Sequence, residues 1–537
     1  MNSEARICQN CQQSFTIEPE DFEFYEKVKV PSPKHCPACR MQRRLAHRNE
    51  RTLYKRGCDK CDKSMVAIYP AGTPWPVYCA PCWWGDGWDA KEHGLDYDSS
   101  RPFFEQFKEL QSRVPRIGLL CINSVNSEYT NNSADNKNCY LLFAAERNED
   151  CSYGRLVQHC KDCIDCAWVY DSEKCYECID CHKCFQCFWS ERCQTSSNLW
   201  FCFDVRDSSD CILSTNLRHA KYMIENVQYS KEEYEAKKAE LLGSPEKIAE
   251  MRERFRKLKS KAVVKYAYMT KCSDATGDYL FNCHSSRRLF DVRNAKDSAY
   301  LADVEDPVDC LDGNNMYYKP ELCYNLMGVL QCYNSKCSSY VFHSSHMEYS
   351  DSCHNCESCF GSIGMKKARY CLLNKEYEPS EYERITNNIR EELRGIGVYG
   401  DFLPPELSPH GYNESLAKDY FPLDEEEVRE RGFRWQEATT GTYGKDDPSK
   451  HIYTCERCKK NFRLTPEELS FYERMGLPFP KMDFECRHQA RVSERTPRKL
   501  WHKKCMKTGC KNEFETSYAP DRPEIVYCEQ CYQQEVV

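Results

Sequence analysis

Cysteines set two residues apart open the sequence: Cys8 with Cys11, Cys36 with Cys39, Cys58 with Cys61, and Cys79 with Cys82. A Cys-x-x-Cys turn brings two sulfurs within reach of one ion at ~2.3 Å, and two such turns complete a closed, tetrahedral Zn²⁺ site. The carboxy-terminal end carries a second set. There Cys455, Cys458 and Cys486 stand with Asp483 where register asks for a fourth sulfur, and His488 is close by. Carboxylate and imidazole also ligate zinc, so this third site is read either as an open or labile position or as a degenerate structural one. Cys505, Cys510, Cys528 and Cys531 make a fourth. The expected cofactor is Zn²⁺, about four ions per chain.

Two duplications set the frame that must position these sites. Residues 8–51 match 455–498 at a constant offset of 447, and after two extra residues the match continues at 449 through Tyr78/Tyr527 and Cys82/Cys531. The ends of the chain are therefore two copies of one module. Inside them, "KYMIENVQYSKEEYE" (221–235) matches "RYCLLNKEYEPSEYE" (369–383) at offset 148, with Asn226/Asn374, Tyr229/Tyr377 and Tyr234/Tyr382 coinciding. Each inner copy closes a Cys/Tyr-rich region. Ser244-Pro245 starts a charged helix expected over 246–261, and a helix is expected over 381–394. Asp424 with Glu427 caps a short helix in an otherwise irregular 398–450. Within the terminal module, "TIEPEDFEFYEKVKVPSPKHC" reads as a hairpin with an aromatic plug, and "RMQRRLAHRNER" after the second pair reads as a helix. Knuckle, hairpin and knuckle at a helix start make a treble clef.

The central cysteines follow a different rule. "CYECIDCHKCFQC" places Cys175, Cys178, Cys181, Cys184 and Cys187 three residues apart, and longer series recur at spacings of 12 and 9. Many end a small pattern, Ser or Cys, then a charged residue, any residue, then Cys, as in "SEKC" and "CHKC". Units this small cannot bury an apolar face alone and must stack. The reading is a β-solenoid with Cys and Tyr inside and charges at its turns, two units per coil of about 18–24 residues. Cysteine suits such an interior because it is small and apolar. Extra zinc or an iron–sulfur cluster is the rival, although the Cys-Pro ending of a ferredoxin run is missing.

Arg40, Arg44, Arg48 and Arg51 recur as Arg487, Arg491, Arg495 and Arg498. On one continuous helix this spacing puts four guanidiniums on one side. Two roles compete: contact with RNA phosphates, or local pairing with acids kept in both copies, Glu20/Glu467 and Glu26/Glu473.

The terminal motifs, C-x2-C-x3-F followed by FY and C-x2-CR, resemble the zinc-ribbon (treble-clef) family found in many bacterial proteins. "CWWGDGWD" and the Cys/Tyr-rich middle are similar to larger zinc-binding proteins expected in small-genome uncultivated bacteria. The resemblance covers about a third of the chain. It implies zinc binding and no particular reaction.

Composition agrees with a large intracellular metal protein. The chain has 537 residues, 39 cysteines against 22 glycines, 35 tyrosines and a net charge of -8. No apolar stretch follows a basic start and no run of ~18 apolar residues occurs, so neither a signal peptide nor a membrane span is expected, and the compartment is read as cytoplasmic. No nucleophile–base pair, phosphate loop or His-Glu-x-x-His motif stands out, so no catalytic residue is assigned. The expected fold class is multi-domain and mainly β with helices. Twin treble-clef/zinc-ribbon modules (1–95 and 451–537) flank two β-solenoid-like repeats (121–225 and 264–374). A linker (96–120), a charged helical insert (226–263) and a helix with irregular connector (375–450) join them. The expected function is a zinc-dependent binding scaffold, for RNA or a ribonucleoprotein or for a protein partner. Zinc storage is the alternative.

Overall fold

The computed structural model describes residues 2–317, 324–330, 336–437 and 441–536, with the side chains of Tyr317, Asn325, Leu326, Val329 and Leu330 set aside. It is a mixed structure of many strands and helices, with cysteine groups near both ends.

Two parallel ladders form the middle. In the first, strands pair with the segment twelve residues on: Ala167 with Ile179, Phe185 with Ser197, Ser197 with Ser209, Ser209 with Lys221. Single bridges such as Tyr140–Ser152, Ser152–Ile164 and Ile164–Tyr176 carry the same step between the strands. The chain thus returns beside itself every twelve residues, not every 18–24 as the repeat units suggested. A second ladder runs through Ala299/Leu311, Ser345/Glu357 and Glu357/Arg369.

A positive φ at every third residue shapes each turn, as at Asp162 (51°), Asp165 (56°), Trp168 (54°), Asp171 (50°) and Lys174 (54°). For residues other than Gly or Asn this conformation costs roughly 1–2 kcal/mol. Here each such corner residue also joins the ladder: Asp162 N–H donates to Glu149 O and Asp165 N–H to Ser152 O, both at 3.1 Å. The residue after each corner points inward. That rule explains the "SEKC" pattern, with Ser172 and Cys175 inside, Glu173 outside and Lys174 at the corner. The spacing of 9 follows as well, since stepping back one three-residue side from a twelve-residue turn gives nine. Cys178 Sγ donates to Cys187 O at 3.2 Å, and Cys184 Sγ to Cys193 O at 3.4 Å. The inward column is apolar and close-packed: Cys175, Cys178, Cys181, Cys187, Cys193, Leu199, Cys202 and Cys211 have no exposed surface.

The duplicated asparagines end the ladders. Asn226 Oδ1 accepts from Thr215 N–H (2.9 Å) and its amide donates to Thr215 O (2.9 Å). Asn374 does the same with Ile363, at 2.7 and 2.8 Å. Both sit at positive φ, 62° and 66°, which Asn tolerates. A short antiparallel return then leads to the helices Lys231–Leu242 and Pro379–Gly395, whose buried Tyr234 and Tyr382 cover Tyr222 and Tyr370. The helix Pro245–Lys259 lies where 246–261 was expected; Lys231–Leu242 before it falls in the stretch read as helical but given no bounds of its own.

The terminal modules differ from expectation in the element after the first knuckle and in where the following helix ends. "EPEDFEFYEK" is not a hairpin but the helix Pro19–Lys27, started by Pro19 and the Glu18–Asp21 capping box, with Phe24 and Tyr25 buried. The hairpins instead carry the first Cys pair of each unit at their tips: Glu4–Ile7 with Ser14–Ile17, Tyr54–Gly57 with Ser64–Ala67, Ile452–Thr454 with Asn461–Arg463, and Trp501–Lys504 with Glu513–Thr516.

If the ladder sulfurs are filling, Cys175→Ala and Cys187→Ala each lower stability by about 1 kcal/mol, as for loss of one methyl-sized group, and leave the metal content unchanged. Urea unfolding and elemental analysis of the two variants check this. Loss of metal with either substitution contradicts it.

Candidate metal centres

Four groups of ligand atoms converge, with the members of each within 4.8 Å of one another: Cys8, Cys11, Cys36, Cys39; Cys58, Cys61, Cys79, Cys82; Cys455, Cys458, Asp483, Cys486; and Cys505, Cys510, Cys528, Cys531. Local backbone brings them together in the same way each time. The first pair lies in a hairpin tip, where Gln12, Asp62 and Lys459 take φ of 58°, 58° and 64° after the second cysteine. The second pair opens a helix, with Cys36, Cys79 and Asp483 as N-cap residues of Pro37–Leu45, Ala80–Trp84 and Phe484–Glu494. In the fourth group Cys528 directly precedes the helix Glu529–Val536.

Distances test whether an ion fits. A tetrahedron of sulfurs 2.3 Å from zinc has edges of about 3.8 Å. Cys11–Cys36, Cys61–Cys79 and Cys510–Cys528 are 3.7, 3.8 and 3.9 Å apart. Each of these three groups also receives a backbone N–H on sulfur: Cys36 N to Cys8 Sγ (3.2 Å), Cys79 N to Cys58 Sγ (3.3 Å) and Cys528 N to Cys505 Sγ (3.3 Å). The Asn10 and Asn512 amides add side-chain donors to Cys39 (3.2 Å) and Cys528 (3.4 Å). Such donors favour thiolate, the form that binds metal. A hydrogen bond with Cys39 outweighs burial and draws Cys36 down to about 5. Burial opposes charge on Cys58, yet the N–H groups of Cys79, Lys60 and Cys61 bring it to about 6. Asn10 and Asn512 were not singled out from sequence; their nearness to Cys11 and Cys510 was the available signal.

The third group is built differently. Asp483 Oδ1 accepts from the N–H groups of Glu485 (2.9 Å) and Cys486 (3.1 Å), as an N-cap. Its Oδ2 accepts from Cys458 Sγ at 2.8 Å. Burial would raise Asp483, but hydrogen bonds from Cys458, Cys455 and the Cys486 N–H hold it below the usual carboxylate range. His488 is not part of the group. It is buried against Asp419 (3.6 Å), and burial pushes it down to about 4.

The central sulfurs do not gather in this way: among the described residues, only the four terminal groups converge. Burial pushes Cys139 and Cys211 up to about 12 and Cys193 to about 11, as for protonated packing thiols, while a hydrogen bond from Cys163 draws Cys175 down.

The arginine sets are inside the molecule, and this corrects the expectation of a phosphate-facing helix surface. The helices stop at Leu45 and Glu494, so Arg48, Arg51, Arg495 and Arg498 follow on non-helical chain. Arg40, Arg44, Arg48, Arg51, Arg487, Arg491 and Arg495 are all buried, and the Arg498 side chain is 3% exposed. Their partners are not Glu20, Glu26, Glu467 or Glu473. Arg40 and Arg44 share Asp312 at 2.8 and 3.4 Å; Arg487 and Arg491 share Asp165, both at 3.0 Å. Arg48 meets Glu50 (2.7 Å), which also holds Arg155 (2.8 Å), and Arg51 meets Asp419 (2.8 Å) and Glu485 (3.1 Å). Arg495 and Arg498 share Asp291 at 2.6 and 2.9 Å, and Arg498 reaches Asp303 at 2.6 Å. Burial opposes the Asp303 charge, but Arg498 and Arg155 hold it at about 2.

The Arg40/Arg44 pair therefore docks on the second ladder and its carboxy-terminal counterpart, Arg487/Arg491, on the first, whereas Arg495 and Arg498 reach Asp291 and Asp303 of the second. The zinc-ribbon-like ends cross over, and further contacts repeat the exchange: Lys366 lies 4.4 Å from the Trp83 ring, while Arg218 donates to Tyr532 Oη at 2.8 Å. Val77–Tyr78 pairs with Arg116–Ile117 as Val526–Tyr527 pairs with Val264–Lys265.

No protein-family model matches the chain, and no curated protein matches it. The geometry by itself is compatible with zinc-ribbon-like modules that bind metal in a structural role. Removing a shared carboxylate should expose the importance of the docking. Asp165→Ala leaves Arg491 with a 3.4 Å contact to Glu177 and a hydrogen bond to Tyr153 O (3.2 Å), and the expected loss is about 3 kcal/mol. Hydrogen exchange should quicken across Phe484–Glu494, whereas Asp150→Ala on the exposed face should leave that helix unchanged. Equal exchange in both variants contradicts the assignment.

Proposed function

We propose that the chain is a zinc-dependent structural scaffold, in which treble-clef/zinc-ribbon modules at both ends clamp a duplicated β-solenoid. The observation that carries this reading is the convergence of three four-sulfur groups, each within 4.8 Å and each with a sulfur–sulfur edge of 3.7–3.9 Å that suits a tetrahedral ion. A closed four-thiolate site offers no open position for substrate or water and contributes folding energy outright. The twelve-residue parallel step and the inward sulfurs support the solenoid. The internal ion pairs of the arginines support a role in joining modules to solenoid, and their burial removes the access that RNA phosphates would need. Zinc storage finds no support in the central thiols, which donate to carbonyls rather than gather in fours. Among the described residues no helix is long and apolar enough to cross a membrane.

Elemental analysis tests the reading. Purified protein should carry zinc at three to four equivalents, one for each convergent group that fills. A strong chelator should unfold the terminal modules, with loss of their protease resistance, before the solenoid core. Eight or more equivalents would favour a store; iron would reopen redox chemistry; a metal-free protein with intact, protease-resistant ends would remove the proposal.

A further inference from the structure

Three of the four convergent groups are alike and one is not. The odd one combines three sulfurs with a carboxylate, and its geometry differs from the others in a way that bears on how firmly it holds an ion. Zinc at 2.3 Å from sulfur and 2.0 Å from oxygen sets a sulfur–oxygen edge of about 3.5 Å. The Cys458–Asp483 edge is 2.8 Å, too short to span an ion, with the thiol directly against the carboxylate, while one sulfur–sulfur edge in each of the other groups sits at the ion-binding value. This group thus has a closed alternative, in which the Cys458 thiol donates to Asp483 Oδ2 and fills the space between them. No comparable partner is available where all four donors are sulfur, because thiol–thiol hydrogen bonds are weak.

Two further features point the same way. Cys458 is exposed, whereas its counterparts Cys11, Cys61 and Cys510 are half-buried. Asp483 also divides its two oxygens. Oδ1 stays on the N–H groups of Glu485 and Cys486, so the helix Phe484–Glu494 remains capped whether or not Oδ2 holds an ion. Arg487 and Arg491 on that helix remain anchored to Asp165 from the other side. The ion can leave without loss of the module.

We propose that the Cys455–Cys458–Asp483–Cys486 centre is an exchangeable zinc site, which responds to zinc availability while the three four-sulfur sites hold the fold. This rests on the zinc reading of the scaffold. On release, Zn²⁺ goes to the competing ligand, the freed thiolates take protons from solvent, and the Cys458 proton is shared with Asp483. No oxidation is involved.

The test uses the zinc-loaded full chain and a chromophoric chelator at neutral pH. Release should be biphasic, with one of the four equivalents leaving at least tenfold faster than the rest. Asp483→Cys should convert the trace to a single slow phase of the same total. Iodoacetamide added during the fast phase should label Cys458 before Cys11, Cys61 or Cys510, as read by peptide mass. Release of all equivalents in one phase overturns the proposal, as does a fast phase unchanged in Asp483→Cys, a total of three with none fast, or first labelling elsewhere. A protein without zinc at any group would instead sink the scaffold reading, a separate outcome.

Discussion

Four sulfurs about 3.8 Å apart can share an ion, whereas sulfurs stacked along parallel strands are held about 4.8 Å apart by the ladder itself. That difference in spacing sorts the cysteines of this chain into two materials. At the ends, hairpin tips and helix starts turn the sulfurs toward common points, and backbone N–H groups stabilise their charge. In the middle, the sulfurs follow corner residues into a narrow interior and lie within hydrogen-bond reach of carbonyls, as Cys163 does of Lys161 O (3.3 Å) and Ser172 O (3.6 Å). One residue type serves both ends because it is a metal ligand when ionised and a compact apolar filler when not.

Small twelve-residue turns bury little, so a ladder of them needs cover. The terminal modules supply it. Phe471 and Tyr472 pack with Tyr176, and Phe24 and Tyr25 pack with Tyr324. Between these aromatic contacts run the buried arginines. A buried ion pair is weak evidence of added stability, because desolvation consumes much of its Coulomb energy. Its value here is in register, since Arg40 and Arg44 find Asp312, and Arg487 and Arg491 find Asp165, only when a module sits at one place along a ladder. Asp165 and Asp312 occupy corresponding places. They lie 147 residues apart in sequence, one less than the inner duplication, because Met269 pairs with Leu280 at eleven residues instead of twelve. The step of thirteen from Leu311 to Tyr324 restores the offset of 148. The duplication in sequence is therefore a duplication in space, with the modules exchanged between halves.

Much of this was legible from residue spacing. The knuckles, the two copies of the module, the inward central cysteines and the helix at Pro245–Lys259 all follow from patterns that local chemistry imposes. The length of a ladder turn was not, because spacings of 9 and 12 both recur and only backbone pairing shows that 12 is the turn and 9 a diagonal. Nor was the destination of the arginines. Their shared spacing read as one helical face, but the helices end before Arg48 and Arg495, and the carboxylates that receive Arg40, Arg44, Arg487 and Arg491 on the ladders lie hundreds of residues away. Asp165 and Asp312 look like any other acid at a ladder corner. The helix Pro19–Lys27 was missed because its aromatic residues suggested strand, while Pro19 and the Glu18–Asp21 box, which decide the matter, are short-range signals.

Anomalous diffraction at the zinc edge from crystals of the full chain tests most directly the division of the sulfurs into ligands and filling. The account predicts strong peaks at the Cys8, Cys58 and Cys505 groups, a peak of equal or lower occupancy between Cys458 and Asp483, and featureless density along the columns through Cys175 and Cys187. A peak within either ladder, or none at the three four-sulfur groups of a folded protein, would contradict it.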